Sequence, residues 1–280
     1  MSEAIREDSI RAQCSDEEWA MRCELAACYR LFVRYGWTDL IFTHLTARVP
    51  GIENQYLINP YGLLFDEICA SNLLKVDFDG NVILGDYPFN GAGHAIHSAV
   101  FKNRPDLNVS LHSHTRAGMA VSTMKCGLLP LTQQANEMME NVAYHDYGLS
   151  VATDDECARI GRDLGDKHLM ILNNHGLLGC GRTVGEAFFL MYTLENACKV
   201  QVDALASGQE IHLPEENAAN TLARYGKVGD APNRSATMSW AAALRSLDAT
   251  DQSYKPVSYT HLRAHETGRN LGCRRLLEKK

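Results

Sequence analysis

Two histidines separated by one residue end an apolar run, Val109-Ser110-Leu111-His112-Ser113-His114. Alternate residues of a β-strand point to the same face, so both imidazoles would enter the same space. A third histidine, His175, ends another apolar run that begins at Leu169. Three neutral imidazoles leave an open coordination position on Zn²⁺ or Fe²⁺, as catalytic metals need. The spacing predicts a metal site of His112, His114 and His175; the alternative is separate core or surface histidines with satisfied hydrogen bonds.

Composition and charge exclude several classes of protein. The chain has 280 residues, 45% hydrophobic and 22% charged, which is typical of one globular domain or at most two. Its net charge of -7 argues against a nucleic-acid binder, because phosphate recognition needs a basic face. No apolar run is long enough for a membrane span, and residues 1–11 lack the apolar core of a signal peptide. The nine cysteines form no Cys-x-x-Cys pair, so we expect reduced thiols in a cytoplasmic protein.

The apolar spacing predicts helices and strands that alternate without a regular βαβ rhythm. A helix is expected over residues 16–35, where Ser15 or Asp16 caps the start and Gly36 ends it. No glycine-rich loop of the dinucleotide-binding type is present. Further predicted helices cover residues 92–101, 116–124, 154–164 and 184–207, and predicted strands cover 41–49, 55–59, 74–78, 82–84, 109–114, 143–147, 169–173 and 177–180.

The last part of the chain differs in composition. Residues 208–236 are polar, with a short helix predicted over 216–224 and a last one over 239–247. From residue 257 the chain becomes basic and is similar to translated adapter or vector sequence, so we interpret 257–280 as a non-native basic tail. Its histidines are excluded from the site for that reason. The alternative is a native basic tail.

Several ordered segments carry a family resemblance. The chain resembles the class II aldolase/adducin family over about residues 17–210, and within it the adducin-head-like branch. That resemblance implies an α/β fold, a three-layer α/β/α sandwich with a mainly antiparallel central sheet. It also implies a homotetramer with sites at subunit interfaces, and it leaves 211–256 as a C-terminal extension with short helices. The segments that carry it are residues 57–63, Arg104-Pro105-Asp106, His112-Ser113-His114, residues 120–130, Tyr144-His145-Asp146-Tyr147 and Asn174-His175-Gly176-Leu177.

The resemblance implies a divalent metal on the same three histidines, with zinc the first expectation and Fe(II) or Mn as alternatives. In aldolases of this family the metal polarises a carbonyl, stabilises an enediolate and so catalyses carbon–carbon cleavage as a Lewis acid. A glutamate of the family removes the proton, and here that position falls on Gly93. Two serines that often hold a substrate phosphate fall on Gly91 and Ala92, so a phosphosugar would lose those contacts. A family tyrosine, supplied by the neighbouring subunit, maps near Gln133 or Gln134.

Two other histidines could replace the missing base. His94 adjoins the vacant position, and an imidazole with a near-neutral pKa is a fit general base, although neighbours on a helix diverge by about 100°. His145 precedes Asp146, whose carboxylate could orient it; the alternative is a buried strand histidine with satisfied hydrogen bonds.

Three polar residues are expected to bind substrate. Arg116 could clamp a substrate carboxylate, or simply be a solvated arginine at a helix start. Asn90 and Gln134 are the other two.

The first hypothesis from sequence is a metal-dependent, aldolase-like lyase acting on a small oxygenated substrate at the three-histidine site. The second is a non-haem Fe(II) oxygenase of the same family, because three histidines with open positions also suit iron and oxygen. The third is a non-catalytic adducin-like assembly or actin-binding module, with which the missing glutamate is consistent.

Overall fold

The computed structural model describes residues 10–146, 154–229 and 231–255. Each of the predicted helices and strands is present, with ends shifted by a few residues. In chain order the elements are α1 (Asp16–Tyr35), β1 (Leu45–Arg48), β2 (Gln55–Ile58), β3 (Leu74–Asp77), β4 (Val82–Leu84), α2 (Gly91–Asn103), β5 (Val109–Ser113), α3 (Arg116–Ser122), α4 (Gln133–Met138), β6 (Val142–Asp146), α5 (Asp154–Leu164), β7 (Leu169–Asn173), β8 (Gly176–Gly181), α6 (Val184–Ala206), α7 (Glu216–Gly226) and α8 (Arg234–Asp248).

Within the part of the chain that the structure describes, eight strands form one sheet in the order β4-β3-β2-β1-β5-β8-β7-β6. Of the seven strand pairs found there, β6 with β7 is parallel and the others are antiparallel. Helix α5 makes the crossover that a parallel pair requires. The chain therefore has the mainly antiparallel central sheet that the resemblance implied.

Helices cover both faces of this sheet. Strand residues alternate between two cores: Leu111 and Ile171 face the core of α1, α3, α4, α6 and α8, whereas Met170 and Leu172 face the core of α2 and α5. This alternation follows from the two-residue period of a strand, with both faces of the sheet buried. The three-layer α/β/α sandwich is confirmed.

Helix α1 shows how local signals fix an element. The Ser15 hydroxyl accepts a hydrogen bond from the Glu18 amide at the start. Gly36 ends the helix with φ 69°, a left-handed conformation that glycine adopts without a side-chain clash. Both ends lie where the sequence predicts them.

Four differences separate the described residues from the sequence prediction. The strand predicted over 41–49 begins only at Leu45, because residues 37–44 form a loop with a turn from the Asp39 carbonyl to the Phe42 amide. Helix α4 is an addition, and α8 begins at Arg234, where Asn233 caps it. His114 falls one residue beyond β5.

None of the helices in the described residues is long and apolar enough to cross a membrane. The basic tail predicted over 257–280 lies outside the described residues.

Candidate metal centre

The three predicted histidines meet at one point. The Nε2 atoms of His112 and His114 are 2.9 Å apart, and those of His114 and His175 are 2.8 Å apart. Nitrogens on a tetrahedral Zn²⁺ with bonds of about 2.0–2.1 Å would be roughly 3.3 Å apart, so small ring movements would admit a cation. Within the described residues this is the one cluster of at least three histidine, cysteine or acidic side chains with metal-ligand spacing.

Strand pairing brings the three rings together. His112 lies on β5 opposite Leu178 of β8, and His175 lies in the tight turn that joins β7 to β8. This turn packs closely against the end of β5. A Cβ at Gly176 would stand 2.4 Å from the Ser113 carbonyl oxygen, so a glycine is required there. The Asn-His-Gly sequence thus places His175 beside the end of β5.

Hydrogen bonds at Nδ1 orient two of the rings so that their Nε2 atoms could bind a cation. The Nδ1 of His112 lies 2.9 Å from the Leu177 carbonyl oxygen, which only accepts, so Nδ1 donates. The Nδ1 of His114 lies 2.9 Å from Asp39 Oδ2 and donates to that carboxylate. A neutral imidazole carries one N–H, so Nε2 of each ring keeps its lone pair for a cation.

Burial favours the uncharged form of two of the three rings. The buried environment lowers the pKa of His112 well below its usual range. Burial, and then the neighbouring His114, lowers the pKa of His175 to about 4. His112 and His175 thus offer neutral nitrogens at neutral pH, and imidazole nitrogens suit Zn²⁺ or Fe²⁺.

A second group of histidines adjoins the cluster. The rings of His44 and His112 are stacked with centroids 5.0 Å apart. His44 Nδ1 lies 2.7 Å from His97 Nε2, and His97 Nδ1 lies 2.5 Å from the Thr46 hydroxyl. A Cβ added to Gly93 would stand 2.5 Å from the His44 ring, so the residue at the family's glutamate position is in contact with an imidazole.

The structure places His94 against other groups. Its Nδ1 is 2.5 Å from the Tyr56 hydroxyl, and its ring contacts Phe89. Its Nε2 lies 3.5 Å from where a Cβ on Gly80 would be. Tyr56 lies on β2, Gly80 in the β3–β4 turn and Phe89 in the segment between β4 and α2. None of them belongs to the three-histidine cluster. A role for His94 as a base stays a prediction.

His145 is fully buried on β6, between two carboxylates. Its Nδ1 is 2.6 Å from Asp163 Oδ2 and its Nε2 is 3.0 Å from Glu156 Oε1, both on α5. Arg159 bonds the other oxygen of Glu156 at 2.6 Å. Both ring nitrogens are engaged, and a role of His145 in proton transfer stays a prediction.

The three expected substrate-binding residues lie at helix starts. Asn90 caps α2, and its side-chain oxygen accepts hydrogen bonds from the Ala92 and Gly93 amides. Arg116 is exposed at the start of α3, two residues after His114, and Gln134 is exposed in the first turn of α4. Their contacts with substrate stay predictions.

Sequence reasoning missed Asp39 and His44 as parts of the site. Both lie in or at the end of the loop before β1, and β1 reaches the site because it pairs with β5. That pairing is long-range, and the local sequence pattern carries no signal for it. The sequence places His44 inside the strand predicted over 41–49, and that position gives no sign that the ring adjoins the site.

The comparisons with known proteins agree with this fold and site. The family model described as "Class II Aldolase and Adducin N-terminal domain" matches residues 23–202. The chain therefore belongs to the class II aldolase/adducin family. It is 45% identical over 249 residues to a Pseudomonas aeruginosa protein provisionally named a class 2 aldolase, with 88% of this chain and 96% of that protein covered.

Both aldolases and adducins are among the proteins to which this chain is similar. A crystal structure of an aldolase II superfamily protein from Pseudomonas syringae has a TM-score of 0.82 and 43% identity, covering 88% of this chain and 98% of that one. Alpha-adducin of Rattus norvegicus is 44% identical over 194 residues, which cover 68% of this chain and 26% of the adducin. L-fuculose 1-phosphate aldolase from Glaciozyma antarctica has a TM-score of 0.73 and 30% identity, over 83% of this chain and 92% of its own.

Proposed function

We propose that this protein is a metal-dependent lyase of aldolase type that acts on a small oxygenated compound. The observation that carries the proposal is the convergence of the Nε2 atoms of His112, His114 and His175, with separations of 2.9 and 2.8 Å along the cluster. A divalent cation held there, zinc in the first place, would supply Lewis-acid polarisation of a substrate carbonyl.

The chain's own residues prepare this chemistry in two ways. The Leu177 carbonyl and the Asp39 carboxylate hold the first two rings with Nε2 unprotonated, so ligand formation needs no tautomer change. Three protein ligands leave at least one position for a substrate oxygen. No side chain at Gly93 can take a proton, so the proton acceptor comes from another residue.

An unphosphorylated substrate fits the surroundings better than a sugar phosphate. Helix N-termini bind phosphate through free amides, but the Asn90 side chain already occupies the amides of Ala92 and Gly93. Glycine and alanine at positions 91 and 92 also lack hydroxyl groups. We therefore propose a small hydroxy-carbonyl compound, free or carboxylated, with Arg116 as the candidate carboxylate partner.

The likeness to alpha-adducin supports a second candidate, an assembly module without catalysis. The absence of a side chain at Gly93 is consistent with it. In both candidates we propose a homotetramer, in which Arg116 and Gln134 would face a site shared between subunits, and a cytoplasmic location.

The test combines metal analysis with a reaction assay. The purified chain is loaded with Zn²⁺, Mn²⁺ or Fe²⁺ in turn and incubated in D₂O with hydroxyacetone, dihydroxyacetone and a panel of 4-hydroxy-2-oxo acids. The lyase proposal predicts one ion per chain and metal-dependent cleavage or C–H exchange by NMR, both lost in His114→Ala. A fully loaded chain that neither cleaves nor exchanges any of them supports the assembly module. Oxygen uptake by the iron form alone supports the oxygenase.

A further inference from the structure

The space beside Gly93 is filled by the ring of His44. A Cβ built on Gly93 would stand 2.5 Å from Cδ2, 2.7 Å from Cγ and 2.8 Å from Nε2 of that ring. Real Cβ atoms do not come so close, so the glycine is needed for His44 to lie where it does. At Gly91, two residues earlier in the same helical turn, an added Cβ would meet nothing within 4 Å, so that position carries no such constraint.

A chain of hydrogen bonds decides which nitrogen of His44 carries hydrogen. The Thr46 hydroxyl donates to the Ser110 carbonyl oxygen at 3.2 Å, so it accepts from His97 Nδ1–H. His97 Nε2 is then the acceptor for His44 Nδ1–H, at 2.7 Å. A neutral imidazole has one N–H, which leaves His44 Nε2 as a lone pair.

The surroundings of both rings are buried and hold no counter-charge. His44 is 2% exposed and His97 is 0% exposed. Within the described ranges neither ring forms an ion pair with a carboxylate, and their hydrogen-bond partners are each other and Thr46. Among the described residues no group makes a hydrogen bond to His44 Nε2, whereas Nδ1 is bonded to His97.

His44 lies next to the metal centre without being part of it. Its ring stacks on the ring of His112 at 5.0 Å. The set of ligand atoms that lie within 4.8 Å of one another consists of His112, His114 and His175 and does not include His44. An unprotonated nitrogen beside an open coordination position can accept a hydrogen bond from a molecule bound to the cation.

We propose that His44 is a ligand-binding residue whose Nε2 accepts a hydrogen bond from the hydroxyl group of a metal-bound α-hydroxy acid or α-hydroxy ketone. His97 and Thr46 are the positioning residues that hold His44 in the tautomer required. This inference rests on the metal site of the proposed function and names the substrate feature that the site selects, a free hydroxyl next to the metal-binding oxygen.

The first experiment tests the tautomer in the metal-free protein. Histidines labelled with ¹⁵N are observed by NMR, and the signals of His44 are assigned by their loss in His44→Asn. We expect a protonated Nδ1 and an unprotonated Nε2. Thr46→Val removes the end of the chain and should let His44 populate both tautomers. Thr43→Val is the matched control, since the buried Thr43 hydroxyl has no hydrogen-bond partner in the described residues. A protonated Nε2 in the unaltered protein, or equal spectra for the two variants, overturns the proposal.

The second experiment tests ligand selection with two probes, one with a hydroxyl group and one with a methoxy group in its place. Glycolate and methoxyacetate are titrated into the Co²⁺-loaded protein, and binding is followed by the visible bands of the cobalt. Glycolate can donate a hydrogen bond and methoxyacetate cannot, so we expect the protein to prefer glycolate about tenfold. Gly93→Ala should displace the His44 ring and abolish that preference, and Gly91→Ala should keep it.

The outcomes separate this inference from the proposed function. A chain that binds no Co²⁺ contradicts the metal site, while the tautomer measurement still tests His44. A chain that binds Co²⁺ but shows no preference, or the same preference in both glycine variants, contradicts the role of His44 alone. Loss of Co²⁺ from Gly93→Ala but not from Gly91→Ala would make His44 a metal ligand and overturn its assignment to the bound molecule.

Discussion

Two histidine sites, the three-histidine cluster and the single His145, lie on the same sheet and use the imidazole in opposite ways. In the three-histidine cluster, His112 and His114 each donate Nδ1–H to an oxygen and direct the bare Nε2 at a shared point. His145 instead has a carboxylate on each nitrogen, Asp163 on one side and Glu156 on the other.

What each site can bind depends on the group that faces the ring nitrogen Nε2. Imidazoles whose Nε2 atoms face one another, with each remaining Nδ1–H donated to an oxygen, leave lone pairs at a shared point and favour a metal cation. An imidazole between two carboxylates has an acceptor oxygen at each nitrogen, so neither nitrogen faces an open position for a cation. Histidines close in space are therefore a metal site only where their remaining hydrogen bonds leave lone pairs facing the same point.

The largest effect is expected from removing a ligand. His114→Ala leaves two imidazoles, and we expect a loss of Zn²⁺ affinity greater than the roughly 10–100-fold that outer partners cost. Metal analysis after competition with a chelator measures it. The exposed His212 provides the control variant His212→Ala, which should stay at one ion per chain. Equal affinity for the two variants would contradict the cluster as a metal site.

Substitution of His145 should lower the stability of the protein and leave its metal content unchanged. His145→Leu leaves the buried Glu156 without its imidazole partner, and we expect a loss of about 3 kcal/mol in the free energy of unfolding. Urea unfolding of the metal-free protein measures this change. A variant that unfolds like the unaltered chain but has lost its metal would reverse the comparison between the two clusters.

The carboxylate that orients His114 gives a sharper distinction. Asp39→Ala removes the acceptor at 2.9 Å from Nδ1 and should lower Zn²⁺ affinity about 10–100-fold while the three ligands remain. Asp39→Asn keeps an acceptor oxygen and should lie between the two. Asp66→Ala, at an exposed position, serves as the control. If Asp39→Ala and Asp66→Ala bind Zn²⁺ alike, the hydrogen bond contributes nothing to the ligand.

The smallest expected effect is the dependence of stability on pH. Burial lowers the pKa of His44, His97 and His112, so the unfolded chain takes up protons that the folded chain does not as the pH falls below about 6.5. The stability of the metal-free protein should therefore fall with falling pH and return as the pH rises. Its melting temperature should drop by a few degrees from about pH 7 to about pH 5.5. Bound Zn²⁺ should oppose the drop, and a melting temperature that rises on acidification would contradict the buried neutral rings.

The sequence predicts the parts of this molecule that depend on local pattern. Helix α1 follows from Ser15, the apolar period and Gly36, and the pair of candidate ligands follows from the spacing of His112 and His114. The third candidate ligand, His175, comes from its strand-end position and from the family resemblance. The three-layer arrangement also follows from the resemblance, because the local sequence pattern does not determine how the strands pair.

The rest depends on contacts between distant parts of the chain. Asp39 and His44 reach the site because β1 pairs with β5, and the register of that pair is set by burial on both faces. Gly93 is a second example. The sequence shows only that this position lacks a side chain, and the structure shows why: the His44 ring occupies the space that a side chain would need.

The most direct test of the central claim is the X-ray absorption spectrum of the Zn²⁺-loaded protein at the zinc edge. We predict three imidazole nitrogens and at least one further oxygen at about 2.0–2.1 Å, with the imidazole count reduced in His114→Ala. A spectrum with sulfur ligands, or with fewer than three imidazoles in the unaltered chain, would contradict a cation held by His112, His114 and His175.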